Sequence, residues 1–375
     1  MKICFWGDIA KALTGKTSGG GELQMALLAK ALARGGNEVV VIDYQIKKDF
    51  ITEDGIKIFK IEGWNKGIRV IRSLTHRLPQ LYKSLKEQKA DVYYCRIRDF
   101  RHILVFWAAR KVKGKFVLSL ASDLDAMNFA MRFKYQHFVS SGSLWSFSSG
   151  MLIEIVYPYL LRKADLVLVQ HEGQKKILAK KHIKSIILSN LIDLPEWMPG
   201  PTHPSDHFIY VGSLDKRKGF AEFFELINKT RGSLYKVVGQ PRDKTAYLYY
   251  EKLKSFSNVS LLGRLSHSET MFQIANAKAL ISTSPMEGFP NIFIEAWACG
   301  LPVLSLNCNP GNVIVKEKLG IVANGDINKI IHAINNSECT VDFARRAKLY
   351  VEYHHILNTA KIKEINHLFN AIVKS

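Results

Sequence analysis

Ser284-Pro285-Met286-Glu287-Gly288-Phe289-Pro290-Asn291-Ile292-Phe293-Ile294-Glu295-Ala296-Trp297-Ala298-Cys299-Gly300-Leu301-Pro302 is the stretch that decides how this chain is read. The apolar run Ala279 to Thr283 before it predicts a buried strand of a parallel sheet. Pro285 and Gly288 then break the chain, and Pro290 suits the first helical turn, where its missing N–H is no loss. Gly300 falls where a helix C′ residue belongs, Pro302 stops continuation, and Pro302 to Leu306 predicts the next strand. The segment is therefore a βαβ unit whose loop lies at the carboxyl end of a strand, where open α/β sheets bind ligands. Backbone amides at the helix start, around Phe289, Asn291 and Ile292, suit an anion, and the macrodipole adds to this. Two carboxylates beside them, Glu287 and Glu295, suit the hydroxyls of a sugar or ribose. The bland alternative is a βαβ unit with two solvated glutamates.

Glu287, Gly288, Phe289, Pro290, Asn291, Glu295, Ala296, Ala298, Gly300, Pro302 and Val303 together resemble the Glu-x7-Glu signature of the retaining glycosyltransferases of family four. That family is the group 1 type of glycosyl transferase. The resemblance implies the GT-B fold, an α/β arrangement of two Rossmann-like domains whose parallel sheets face each other across a cleft. It also implies a C-terminal helix that crosses back to the first domain. In such enzymes the first glutamate lies near the donor sugar and the second bonds the nucleotide's ribose, which gives Glu287 and Glu295 those roles by implication.

At 375 residues the chain is longer than one domain usually is. Formal net charge is +20 and uneven: residues 1–200 hold 32 Lys and Arg against 18 Asp and Glu, residues 201–375 hold 21 against 15. A basic amino-terminal half points to a polyanion, an anionic membrane surface or an acidic acceptor. Five scattered cysteines, Cys4, Cys95, Cys299, Cys308 and Cys339, form neither a disulfide framework nor a zinc pattern, which fits a reducing cytoplasm. The start, Met1 to Asp8, is too short an apolar run for a signal peptide. No run of about 18 apolar residues is present to span a membrane.

Taken in order, Lys2 to Trp6 predicts a first strand, Glu22 to Arg34 a helix and Glu38 to Asp43 a second strand, a Rossmann-like opening. Between the first two, Gly19, Gly20 and Gly21 make a loop that permits close backbone approach to a phosphate or sugar. A merely flexible loop is the alternative. Gly-Lys-Thr at 15–17 lacks the glycine spacing of a P-loop and is not read as one. Lys66 to Leu78 is a basic amphipathic segment (Lys66, Arg69, Arg72, Arg77), either an ordinary surface helix or a contact with an anionic membrane. A strand over 115–120 ends in Ala121-Ser122-Asp123-Leu124-Asp125. Members of the resembled family often carry a histidine here, and this sequence has Ser122 and Asp123 instead. Asp123 is a modest candidate for the cleft, while Asp123-x-Asp125 as a metal pair is too short a pattern to carry weight. Met127 to Leu161 is aromatic and serine-rich, suited to an acceptor lid or a membrane-edge loop, with residues 151–161 as a core helix.

Pro195, Pro199, Gly200, Pro201 and Pro204 mark a linker. The expected division is an acceptor-side domain over 1–200, a nucleotide-sugar-binding domain over 205–345, and a C-terminal helix over 346–375 packing back on the first. The second domain opens with a strand at 207–211 and the loop Gly212-Ser213-Leu214-Asp215-Lys216-Arg217-Lys218-Gly219. Three successive cations at a strand–helix turn are costly without an anion, and a diphosphate is the economical partner. The resemblance assigns Lys218 to the donor diphosphate. It expects an arginine where Ser213 stands, and Arg217 is the candidate replacement. Gly239 and Gly263 close further strands. The resemblance brings Gly263, Arg264 and Leu265 to the nucleotide base. Segments 311–314 and 320–322 are expected to finish the sheet, and 342–373 to form a helical tail with solvated His354 and His355.

The expected function is transfer of a sugar from a UDP- or GDP-linked donor to an acceptor hydroxyl with retention, in assembly of a bacterial surface polysaccharide. No cofactor and no essential metal are expected. Lys218, Arg217, Glu287 and Asp123 are the expected catalytic residues. The donor partners are Gly19, Gly20, Gly21, Gly212, Ser213, Gly239, Gly263, Arg264, Leu265, Gly288, Phe289, Pro290, Asn291, Ile292 and Glu295. Expected partners are the nucleotide sugar, a glycan or lipid-linked acceptor and an anionic membrane, with no nucleic acid. Two other classes remain open: another GT-B nucleotide-sugar enzyme such as an epimerase, and a non-catalytic basic protein that binds membrane or nucleic acid.

Overall fold

Strand β1 (Lys2–Trp6) shows why this chain builds parallel sheets: Ile3 and Phe5 pack into one apolar cluster and Cys4 and Trp6 into another, so both faces are buried. The computed structural model describes residues 1–16, 19–68, 71–129, 131–132, 144–194, 206–336 and 341–374. These fall into two units, Met1–Leu191 with Leu357–Ser375, and Ile192–Ile356.

In the first unit the other strands are β2 (Glu38–Asp43), β3 (Phe50–Ile51), β4 (Lys57–Lys60), β5 (Val92–Arg96), β6 (Lys115–Ser119), β7 (Leu166–Val169) and β8 (Ile186–Ile187). The sheet order is β3-β4-β2-β1-β5-β6-β7-β8, and only the β3–β4 pair is antiparallel. Helices α1 (Ala10–Leu13) and α2 (Gly20–Arg34) cover one face. The other face carries α3 (Leu78–Glu87), α4 (His102–Lys111) and α6 (Leu144–Lys163), with α5 (Asp123–Ala126) and α7 (Glu172–Ala179) at the carboxyl ends of the strands. A π-helical turn, Ser73–Arg77, runs directly into α3.

The second unit holds β9 (His207–Val211), β10 (Leu234–Val238), β11 (Val259–Gly263), β12 (Leu280–Ser282), β13 (Val303–Ser305) and β14 (Gly320–Val322) in the order β11-β10-β9-β12-β13-β14, all parallel. This is the doubly wound order, and its connections reverse direction between β9 and β12. Helices α8 (Phe220–Lys229), α9 (Lys244–Leu253) and α13 (Ile327–Asn336) cover one face. The other carries α10 (His267–Ala275), α11 (Asn291–Ala298), α12 (Val313–Lys316) and α14 (Val341–His354).

The tail differs from the single helix expected over 342–373. Helix α14 packs on the second unit, the chain turns at His355–Asn358, and α15 (Thr359–Lys374) returns to the first unit. There Asn366 donates to the Gly35 carbonyl at 2.7 Å and accepts from Asn37 at 2.7 Å, pinning α15 to the end of α2. His355 is not a solvated surface residue: it is fully buried, 5.0 Å ring to ring from Phe289. Residues 310–316 form helical turns rather than a strand, because Gly311 and Asn312 adopt positive φ. Residues 144–150, where irregular chain was expected, belong to the 20-residue α6, which also contains the core helix expected over 151–161. The linker prolines and Arg69 lie outside the described residues, as do Phe133, Tyr135 and Phe138.

Candidate functional site

The reversal between β9 and β12 places two loops side by side at the carboxyl ends of these strands, residues 212–219 and 283–290. A ligand crevice forms at such a point because neighbouring connections leave on opposite faces of the sheet. The first loop ends in a 3₁₀ turn, Lys216–Lys218, which Asp215 caps by accepting from the Lys218 amide at 3.1 Å. Gly219 follows at φ +66, and a Cβ there would stand 2.1 Å from the Thr283 carbonyl oxygen. Only glycine fits this approach. Thr283 on the second loop donates through Oγ1 to the carbonyls of Lys218 (3.1 Å) and Gly219 (2.7 Å), and the Tyr210 hydroxyl donates to Lys218 O at 3.1 Å. The turn is thus clamped against the strand beside it.

The clamp lets the Lys218 ammonium donate to Oε1 of Glu287. The Arg217 guanidinium donates to Asp215 at 2.8 Å while remaining largely exposed. Ser213, where the resembled family carries an arginine, also donates to Asp215, at 3.1 Å. Burial works against the Asp215 carboxylate, but hydrogen bonds from Arg217, Ser213 and the Lys218 amide hold its pKa below the ordinary value. Within the protein, Arg217 and Lys218 of the cation run thus have Asp215 and Glu287 as partners.

Helix α11 begins one residue later than the sequence suggests. Pro290 is its N-cap at φ −64 and ψ 126, so Asn291 and Ile292 occupy the first turn. Phe289 is buried, edge-on to Trp297 at 6.1 Å. Glu295, one turn on, is nearly buried and accepts from His267 Nε2 at 3.1 Å. That bond raises the His267 pKa above its ordinary value against the opposing effect of partial burial. His267 opens α10, which is fixed by a capping box between Ser266 and Glu269. The turn before it, Gly263, Arg264 and Leu265, lies beside the other glycines: Gly239 N donates to Gly263 O at 2.7 Å, and Gly212 N donates to Val238 O at 3.0 Å. A Cβ on Gly239 would stand 1.9 Å from Gly212 O. Gly212, Gly239 and Gly263 thus form a side-chain-free rim at the ends of three adjacent strands.

The remaining candidates belong to the first unit. Gly19 is the N-cap of α2, and Gly20 and Gly21 lie in its first turn rather than in a loop. A Cβ on Gly21 would stand 2.6 Å from Ile97, which itself adopts φ +65. Asp123 starts α5 and accepts from His171 Nε2 and Gln174 Nε2, each at 2.9 Å. Asp125 accepts from the amides of Ala121 and Ser122 as the other half of a capping box. Both members of Asp123-x-Asp125 are therefore engaged by protein donors. Among the described residues no three His, Cys, Asp or Glu side chains gather so as to hold a metal ion. Sequence reasoning missed Asp215, Thr283, His267 and His171. Asp215 alone had a local signal, as an N-cap aspartate before a glycine-terminated turn.

Residues 199–348 match the family model described as glycosyl transferases group 1. An uncharacterized glycosyltransferase of Methanocaldococcus jannaschii is 26% identical over 203 residues, covering 48% of this chain and 49% of its own. The chain thus spans about half the length of that relative. Sucrose-phosphate synthase from Thermosynechococcus elongatus superposes with a TM-score of 0.75 at 16% identity, covering 99% of this chain and 98% of its own. HepE from Anabaena, in complex with UDP and glucose, superposes with a TM-score of 0.70 at 16% identity, covering 99% of each chain. The two Rossmann-like units of this chain therefore have the GT-B fold of these structures.

Proposed function

We propose that this chain is a glycosyltransferase that moves a sugar from a nucleotide-diphosphate sugar to an acceptor hydroxyl with retention of anomeric configuration. The observation that carries the reading is the meeting of Lys218 and Glu287, 69 residues apart in sequence, at the reversal point of a doubly wound sheet. The match of residues 199–348 to the glycosyl transferase model and the UDP-bound neighbour support it. In this reading Lys218 turns from Glu287 to the donor diphosphate and stabilises the charge that develops as the bond to the sugar breaks. The start of α11 adds its dipole, and Arg217 stands at the exposed outer side. Glu287 accepts from the donor sugar's hydroxyls and Glu295 from the ribose, which fixes geometry rather than supplying a nucleophile. The rim of Gly212, Gly239 and Gly263 gives the nucleotide close backbone approach, with Arg264 and Leu265 beside the base. The departing diphosphate assists a same-face attack by the acceptor, with no essential metal. The donor is UDP- or GDP-linked, and the acceptor is a lipid-linked or surface glycan of a bacterial polysaccharide. The work is done in the cytoplasm, peripherally at the membrane.

A thermal-shift panel of nucleotide sugars tests this. A true donor at 100 times its dissociation constant stabilises the fold by roughly 2.7 kcal/mol. Absence of any shift across UDP- and GDP-sugars overturns the reading. Turnover of the donor alone, without acceptor, favours an epimerase instead.

A further inference from the structure

Helix α6 is apolar on both sides, which a helix lying on a water-facing surface does not need. Its inner side, Tyr157, Leu160 and Leu161, is buried against the sheet of the first unit. Its outer side carries Met151, Leu152, Ile155 and Tyr159, spaced to share one helical face, and Ile155 is 68% exposed. The neighbouring α4 meets it through Phe106 and Tyr159, edge-on at 6.0 Å, and the next residue on α4, Trp107, is 51% exposed. The carboxyl ends of the two helices add exposed Lys111, Arg162 and Lys163, with Lys113 just beyond. No acidic residue occurs in α4. The one in α6, Glu154, is buried and paired with Arg98 and Arg132. Nearby Asp165 is taken up by Arg110 at 3.1 Å. An exposed apolar patch with a cationic border and no exposed carboxylate on either helix is an interaction surface.

We infer that the outer face of α4 and α6 docks on an anionic lipid bilayer, with Ile155 and Trp107 entering the headgroup boundary and Lys111, Arg162 and Lys163 meeting the headgroups. Charge chooses this occupant. Two copies of a chain of net charge +20 would bring the same cationic border against itself, whereas anionic headgroups neutralise it. Aromatic rings favour that boundary, and long cationic side chains reach outward from it. No described helix is long and apolar enough to cross a membrane, so the contact is an adsorbed one. The sequence offered two segments for such a contact: 127–161, which contains most of α6, and 66–78, which exposes Ile68, Ile71 and Leu74 but draws one of its cations away from solvent. Arg77 is turned inward, donating to Trp64 O at 3.2 Å and lying over the Trp64 ring at 5.3 Å.

The inference deepens the peripheral part of the proposed function and does not depend on its chemistry. The test is flotation of the full chain, without nucleotide sugar, on vesicles of phosphatidylcholine alone and with 30 mol% phosphatidylglycerol. Binding is expected only on the anionic vesicles, weakening as salt rises. Trp107→Ser with Ile155→Ser should abolish it. Lys111→Glu with Lys163→Glu should weaken it by about fivefold for each cation removed, and further for each charge reversed. Ile71→Ser with Leu74→Ser, on the π-helical turn, should leave it within about twofold. The inference is overturned if the Trp107/Ile155 variant floats like the wild type, if the Ile71/Leu74 variant loses binding instead, or if the wild type does not float. A dimer in solution that the Trp107/Ile155 change dissociates would overturn it in favour of a self-interface. Thermal stability of each variant, read beside a donor-induced shift, separates failure of docking from failure of the fold or of the donor reading.

Discussion

His267 Nε2 stands 3.1 Å from Oε1 of Glu295, so the carboxylate assigned to the ribose is held by a histidine from the helix before it. The bond places the pKa of His267 above its ordinary value of about 6.5. The stabilisation is therefore complete below pH 6.5 and is lost as pH rises through the raised value. Half of the His267 side chain faces solvent, which keeps the contribution under about 1 kcal/mol. The stability difference between wild type and His267→Ala should be largest near pH 6 and shrink towards pH 9 in urea titrations. A difference independent of pH would show that the pair does not form.

Lys218→Met and Glu287→Gln should each lower kcat strongly with the correct donor. For Lys218, loss of a charge partner for the leaving group costs about 2.7–4 kcal/mol in the transition state, or 10²–10³ in rate, while loss of Glu287, which positions the donor sugar, should cost up to about 10² through misplaced geometry. Because the two side chains pair in the free protein, the double variant should fall short of the summed single effects. Steady-state kinetics of the three variants checks both statements.

Gly219→Ala should destabilise the second unit by about 2–5 kcal/mol, combining left-handed strain with overlap on the Thr283 carbonyl. Gly263→Ala has a similar φ, +68, but open space around the added methyl, so only the strain of about 1–2 kcal/mol should appear. Equal losses in denaturant titrations would contradict the clamp between the two loops.

Trp297 is fully buried, donates through Nε1 to Leu319 O at 2.9 Å, and backs the ring of Phe289. Trp297→Ala should cost about 3–5 kcal/mol. Trp297→Phe keeps most of the packing and leaves the Leu319 carbonyl its bond from the Val303 amide, so the lost indole bond should cost only about 0.5–1.5 kcal/mol. The order of the two unfolding midpoints is the measurement.

Glu154→Gln should cost about 3–5 kcal/mol, since it leaves Arg98 and Arg132 buried without their shared counter-charge. The loss should appear in hydrogen exchange of α6, which this carboxylate anchors.

The strands were legible in the chain because each buried strand is a short apolar run closed by glycine, proline or a charge. Lys2–Trp6, Glu38–Asp43 and His207–Val211 fall where the residues place them. Helices were read less evenly. Lys244–Leu253 and Ile327–Asn336 went unread, although Asp243 caps the first by accepting from Ala246 N. The break between α14 and α15 was missed because His355 reads as polar while the fold buries it against Phe289 and Tyr350.

By itself, then, the sequence determined the buried strands of two α/β units, the loops at their carboxyl ends, and a helix start flanked by Glu287 and Glu295. These are local features, set by periodicity and by turn residues within about twenty positions of one another. Only the tertiary structure decided that Lys218 meets Glu287, that Arg217 pairs with Asp215, that His267 holds Glu295, and that His171 pairs with Asp123. Three of these contacts, those made by Lys218, His267 and His171, join residues 28 to 69 positions apart, brought together by the order of strands in a sheet. Strand order follows from which apolar faces find one another, and no window of the chain contains that information.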